Sequence, residues 1–326
     1  MRRVTVLCGG VGAARFLAGL VQATDPAGIT AIVNVADDTE LHGLMISPDL
    51  DTVTYTLAGA IDPTRGWGLV DETWQAMEQL RHYGRHHDID PSADVGNDAA
   101  GWFALGDRDL GTHLYRTSRR LAGATLSDVT TEIAGAWAVD VRLLPVTDDP
   151  IRTMLTTVDG RRLGFQEYFV REHHDVEIAG VAIEGSESAR PAPGVLESID
   201  EADVIVIAPS NPVVSIAPVL AVPGLRETVR RARERTVAIS PIVGGRALKG
   251  PADRLLRELG HESSVTGVAD WYRDLASTLV IDTIDAHDVP AIEQSGLRTI
   301  VVPTVMSEPG VARALAQRCI EAAVAP

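Results

Sequence analysis

Two pairs of aspartates stand close together in the first sixth of the chain: Asp37-Asp38 in "NVADDTELHG" and Asp49 with Asp51 in "ISPDLDTVTYTL". They follow a glycine-rich stretch, "VLCGGVGAAR" at 6–15. Carboxylates beside a glycine turn suit a Mg²⁺ ion that bridges phosphate oxygens, since this ion takes one or two carboxylates from the protein and fills its remaining positions with phosphate and water. Asp37 and Asp51 are the candidate catalytic and metal-binding pair. Asp38 and Asp49 are the alternates, and helix capping is the competing role for any one of them.

The glycine stretch meets the dinucleotide fingerprint only in part. Gly10 and Gly12 are in place, but Arg15 stands where the third glycine, which permits close helix–strand packing, should be. An acid does follow at the end of the second strand, so an NAD-dependent oxidoreductase is one reading. A Walker A loop is excluded, because no Gly-Lys-Ser/Thr follows. The more general reading is an anion cradle: Gly10 and Gly12 free the backbone to aim N–H groups and a helix N-terminus at a phosphate, and Arg15 adds charge. Asn34 sits with Asp37 and Asp38 at the carboxyl end of a strand, where α/β sheets bind ligands.

Two further stretches carry more polar groups than a turn needs. "LGDRDLGTH" (105–113) holds Asp107, Arg108, Asp109 and His113 just before a helix, where Asp109 as a cap and Asp107–Arg108 as a surface pair are the plain alternatives. "APSNPVVSI" (208–216) places Ser210, Asn211 and Ser215 around a second helix start, with Pro212 suited to the first turn.

The elements that must position these residues are legible on either side. "VTVLC" (4–8), "ITAIVNV" (29–35), "DVIVIAP" (203–209), "TVAISP" (236–241), "TLVID" (278–282) and "RTIVVP" (298–303) read as buried strands. Helical stretches at 13–23, 224–235, 251–260 and 310–324 separate most of them. Strand–helix alternation predicts a doubly wound, mostly parallel Rossmann-like α/β sheet. The middle differs: 71–83 and 109–136 read as helical, 152–170 as a hairpin around "DG", and 174–183 as a further strand. The expectation is a single α/β unit over 1–326, its core drawn from 1–70 and 195–326, with a helix-plus-hairpin insertion at about 71–194. The polar, aperiodic segment 86–101 is expected to be a mobile surface loop.

A net charge of −16 over 326 residues argues against nucleic acid or an anionic membrane as partner. The two cysteines, Cys8 and Cys319, make neither a disulfide framework nor a cysteine metal site. With no signal-peptide pattern and no apolar run near the ~20 residues of a membrane span, the expectation is a cytoplasmic protein.

Seven motifs occur in order: "GGVGAARFL", "NVADDTELHG", "ISPDLDTVTYTL", "GWGLVDETW", "LGDRDLGTH", "PSNPVVSI" and "SPIVGG". Together they resemble the 2-phospho-L-lactate transferase family of coenzyme F420 biosynthesis, whose actinobacterial members are described as phosphoenolpyruvate transferases. The resemblance covers nearly the whole chain. It implies transfer of a phospho-acid from a guanosine diphosphate ester of lactate or enolpyruvate onto the ribityl hydroxyl of the deazaflavin Fo, with release of GMP, a requirement for Mg²⁺, and a homodimer. It further implies that Asp37 and Asp51 hold metal, that Gly10, Gly12 and Arg15 lie near the diphosphate, and that Ser210 and Asn211 face the nucleotide. Asp107 and Arg108 match the family motif without an assigned substrate. The 84–101 stretch is longer and more polar than the family's short link. A non-catalytic nucleotide-binding regulator is the alternative from another class, and the paired carboxylates speak against it.

Overall fold

In the computed structural model, which describes residues 2–86 and 102–323, seven parallel strands form one central sheet. In chain order they are β1 (Val4–Cys8), β2 (Ile29–Val33), β3 (Arg142–Pro145), β4 (Val204–Ile207), β5 (Thr236–Ile239), β6 (Thr278–Ile281) and β7 (Arg298–Val301). Their spatial order is β7-β6-β5-β4-β1-β2-β3. Val4 of β1 is in register with Ile29 on one side and Val204 on the other. Every residue of β1 and β4 is buried, which explains why both read as unbroken apolar runs rather than alternating ones. The doubly wound α/β reading is correct, and the central sheet is parallel throughout.

The sheet draws on more of the chain than 1–70 and 195–326. Its edge strand β3 comes from within 71–194 and pairs with β2. "RLLP" ends in Pro145, a residue that an edge position tolerates and that conceals a strand in sequence. The rest of that stretch supplies helices and a separate antiparallel sheet, with Arg152–Thr157 between Arg162–Gly164 and Ile178–Glu184. The second arm of the expected hairpin stops at Gly164. A π-helical turn, Glu167–Arg171, follows in place of strand.

Helix α1 (Gly10–Ala23) packs on α2 (Pro48–Leu57) and on the C-terminal helix Val311–Ala322. Gly19 makes the second contact possible, because a Cβ there would overlap the Ala312 backbone. In the middle region lie α3 (Gln75–His86), α4 (Asp109–Leu121) and α5 (Leu126–Ala136). The single helical stretch expected over 109–136 is broken by Gly123, which is left-handed (φ 95°), and restarted by a capping box between Thr125 and Asp128. The expected 86–101 loop, beyond His86, lies outside the described residues. Among the described residues no single helix is long and apolar enough to cross a membrane.

Candidate active site

Strand order reverses between β1 and β4, and open α/β sheets bind ligands in the crevice at that switch. The turn after β1 runs directly into α1, and the turn after β4 is Pro209–Asn211. The two turns touch. The Ser210 hydroxyl donates to the Gly9 carbonyl at 2.8 Å and accepts from the Gly9 N–H at 3.4 Å. A Cβ on Gly12 would stand 2.5 Å from the Pro209 carbonyl oxygen, so only glycine allows this approach. Gly10 is left-handed (φ 73°) and donates its N–H to Asp49 at 2.8 Å. A cavity of about 540 Å³ opens above these turns. Gly10, Gly12, Arg15, Asp37, Asp51, Ser210, Asn211 and Ser215 all line it, whereas Asn34, Asp107 and Arg108 do not.

Those three residues hold the site from outside. Asn34 is fully buried; its amide donates to Asp49 at 3.0 Å and its oxygen accepts from the Ala36 N–H at 3.0 Å. It positions Asp49 rather than a substrate. Asp107 accepts from the Thr73 hydroxyl and from the Gln75 and Ala76 N–H groups at 3.0 Å, which caps the start of α3. Arg108 donates to the Val70 carbonyl. The reciprocal cap comes from Glu72, whose carboxylate accepts the Arg108 and Asp109 N–H groups at 2.8 and 2.9 Å. Asp109 is therefore not the cap of α4, and its side chain is free to turn inward.

On α4, Asp109, His113 and Arg116 follow at i, i+4 and i+7 and so share one face. That face meets Asp51 of α2, and all four side chains are buried. Arg116 pairs with Asp51 Oδ1 and lies 3.2 Å from His113 Nδ1. His113 Nε2 is 3.5 Å from Asp109 Oδ2, and the Tyr55 hydroxyl donates to Asp109 Oδ1 at 2.6 Å. Burial pushes the Asp51 carboxyl up, against the pull of Arg116 and His113. Burial also opposes ionisation of Asp109, but His113, Tyr55 and Arg116 outweigh it and hold that carboxyl low. Asp37, from the end of β2, reaches the cavity separately. Burial and the neighbouring Asp49 push its carboxyl well above the usual range.

The ligand atoms of Asp51, Asp109 and His113 lie within 4.8 Å of one another, a spacing that could hold a metal ion. Asp37 is not part of this group. Asp51 Oδ2 has no hydrogen-bond partner among the described residues, as expected of an atom reserved for a ligand. The two carboxylates fit a hard divalent cation. The histidine fits less simply: Arg116 can only donate, so Nδ1 accepts and the ring proton sits on Nε2. Ligation through Nε2 would move that proton and cost the Arg116 contact. His113 and Asp109 were visible in the "LGDRDLGTH" motif, but the motif did not say which of its acids faces inward; the missing signal was the helical phase that Arg116 completes.

Part of the lining is aromatic, from Trp67, Trp102, Phe103, Phe165 and Phe169. Phe165 and Phe169 stack at 5.5 Å with planes 11° apart, Phe169 on the π-helical turn that replaced the expected strand and Phe165 just before it. Trp67 sits between left-handed Gly66 and Gly68, and the Arg65 guanidinium lies 5.3 Å from its ring and 5.1 Å from that of Trp74. None of these aromatics was singled out from sequence. Only Phe165 and Phe169, four residues apart, share a helical spacing.

The carboxylates predict an unusual pH response. Burial raises Asp49 to about 6 despite its bonds to Asn34 and Gly10, and raises half-buried Asp38 to about 8 despite its bond to Ser47. Both folded-state values exceed the ordinary ~4. The native state then binds more protons than the unfolded chain across that interval. Their contribution to stability is complete below about pH 4 and is lost as pH rises through about 6 and then about 8. Carboxylates held low, such as Asp109, titrate below this window. Thermal melts in chelator should show Tm falling from pH 5 to 8, with a shallower fall in Asp38→Asn and in excess divalent cation. A Tm that climbs over this range in chelator would contradict the assignment.

The profile of the family described as "2-phospho-L-lactate transferase CofD" matches residues 4–312. The chain belongs to this family. It is 45% identical over 325 residues to a phosphoenolpyruvate transferase of Streptomyces griseus, covering 98% of each chain. It is 46% identical over 310 residues to that of Streptomyces coelicolor, covering 94% of this chain and 93% of the other. A crystal structure of a UPF0052 family protein from Bacillus halodurans superposes with a TM-score of 0.66 at 19% identity, covering 98% of each chain, which shows the shared fold. Membership makes the chain a transferase of coenzyme F420 biosynthesis, as the seven motifs implied. Neither the NAD-dependent oxidoreductase nor the non-catalytic regulator is favoured.

Proposed function

We propose that the chain moves a phosphoenolpyruvyl group, or 2-phospholactyl in its place, from a guanosine diphosphate ester to the ribityl hydroxyl of Fo and releases GMP. The observation that carries this reading is the division of one cavity into three chemistries. Two small-residue turns meet at the sheet's switch point, and a buried carboxylate cluster and a set of aromatic rings line the same cavity. The hydroxyl oxygen forms a bond to the phosphorus that bears the acid and releases its proton to water; the bond from that phosphorus to the bridging oxygen breaks, and GMP leaves with the electron pair.

Such transfer depends mainly on positioning and charge neutralisation. The first turn of α1, with Gly10 and Gly12, and Arg15 one turn further along serve the diphosphate. Ser210, Asn211 and Ser215 serve the guanosine side. The flat rings of Phe165, Phe169 and Trp67 suit the planar deazaflavin. Asp51 and Asp109 would hold Mg²⁺, with Asp37 as a further carboxylate lining the cavity. That ion supplies neutralisation of the diphosphate oxygens, which allows an acidic protein to take an anionic donor. A cytoplasmic homodimer is the form in which we expect it to work.

Asn211 offers the direct test of this arrangement. Its side-chain oxygen accepts the Val213 N–H at 2.9 Å and caps the following turn, while its amide donors remain for a ligand. In calorimetry, Asn211→Ala should weaken GDP by roughly tenfold to a hundredfold, the cost of one hydrogen-bonding side chain in a buried contact. Asn211→Asp, which keeps the cap but not the donors, should weaken GDP as much or more. Fo should bind both variants as it binds the wild type. Equal loss for both ligands, or loss for Fo alone, would contradict the placement.

A further inference from the structure

We propose that Lys249, together with Arg15, forms a cation pair that grips a phosphoryl group of the ligand in the cavity. Of the 29 lysines and arginines in this chain, Lys249 alone is a lysine. It follows the short antiparallel pair Ile242–Val243 and Arg246–Ala247 and lines the cavity from the side of β5. Its ammonium rests against Gly66: a Cβ there would lie 3.1 Å from Lys249 Nζ and 3.4 Å from Val11 Cγ1. The charge thus reaches across the cavity rim to the first turn of α1. Arg15, farther along α1, lines the same cavity.

Neither cation has a carboxylate within ion-pair distance or a hydrogen bond among the described residues, although the chain carries 45 acids against 29 lysines and arginines. Elsewhere the arginines find acids readily, as Arg116 does with Asp51 and Arg119 with Glu132. Both cations line the same cavity, and burial and the charge of Arg15 both hold the Lys249 ammonium below its usual range. Two like charges held together without a counter-charge are costly until an anion joins them. A phosphoryl group with two free oxygens satisfies both. A lysine suits the position because its compact charge on a flexible stem can follow a phosphate, whereas an arginine imposes a flat fork.

This assignment rests on the reading of the cavity as a phosphate-ester site, and the test separates the two. The chain offers an acylating reagent a single lysine, so acetylation of the intact protein by N-hydroxysuccinimidyl acetate, followed by peptide mass spectrometry, reports on Lys249 with the α-amino group as internal control. Saturating inorganic pyrophosphate with Mg²⁺, or GDP with Mg²⁺, should slow Lys249 acetylation about tenfold or more and leave the control unchanged. Lys249→Met should weaken pyrophosphate by roughly tenfold to a hundredfold, the range for a hydrogen bond to a charged group, and Lys249→Arg by less. If calorimetry shows pyrophosphate bound while Lys249 reacts at its free rate, or if Lys249→Met binds pyrophosphate like the wild type, the proposal is overturned and the phosphate-ester reading stands. If neither pyrophosphate nor GDP binds, that reading falls and the proposal falls with it.

Discussion

Replacing Asp51 by asparagine should lower turnover by about a hundredfold or more, since even outer-shell changes around a metal cost roughly 10–100-fold in metal affinity or activity. The same change should also lower stability. Asp51 Oδ1 is the ion-pair partner of Arg116, and both side chains are buried. Breaking a buried pair by removing one charge costs about 3–5 kcal/mol because the other is left uncompensated. The two losses are separable. Arg116→Met in the Asp51→Asn background should restore much of the melting temperature without restoring turnover. Steady-state assays across Mg²⁺ concentrations, paired with melts, make the distinction. Near-normal activity of Asp51→Asn at limiting Mg²⁺ would remove Asp51 from the metal site, and a double variant as unstable as the single would show that the pair is not what holds α2 to α4.

Gly12→Ala should abolish donor binding well before it abolishes folding. The added methyl would sit 2.5 Å from the Pro209 carbonyl oxygen, with backbone on both sides and no flexible side chain to yield. Either the start of α1 or the turn after β4 must move, at about 1–3 kcal/mol for a forced methyl in a packed site. Those two segments are the walls of the proposed diphosphate and guanosine sites, so GDP affinity should fall steeply while Fo, against the aromatic wall, loses little. Gly19→Ala is the control. It overlaps the Ala312 backbone at a helix contact outside the cavity lining, so it should lower Tm and leave GDP affinity unchanged below the melt. If Gly12→Ala binds GDP like the wild type, the close approach of the two turns is not what the ligand requires.

The strands of the central sheet could be read because parallel strands are buried on both faces and spell out as apolar runs; β3 could not, because "RLLP" opens on an exposed arginine and ends in a proline. The ligand side of the site followed from the strands, because whatever follows the carboxyl ends of β1 and β4 must face the crevice. Gly10, Gly12, Ser210 and Asn211 were accessible for that reason. The acidic side was only half accessible. Sequence brought Asp37, Asp38, Asp49 and Asp51 together and set Asp107 and Asp109 in one separate motif, but a shift of one or two residues along a chain decides which carboxylate turns inward. Asp107 faces the start of α3 as a cap, and Asp109, two residues on, faces Tyr55 and His113. Asn34, though at a strand end as expected, is consumed by Asp49. The aromatic wall and Lys249 come from loops far apart in sequence that only the folded chain brings together.

The central claim is a chemical one, and product analysis tests it most directly. Purified protein, Fo and Mg²⁺, given the guanosine diphosphate ester of enolpyruvate or of lactate, should yield GMP and a phospho-acid adduct of Fo in equal amounts by liquid chromatography and mass spectrometry. The adduct mass identifies the acid transferred, and chelator should suppress both products. Hydrolysis of either ester to GMP with Fo left unmodified, or no turnover of either ester in the presence of Fo and Mg²⁺, would contradict the account.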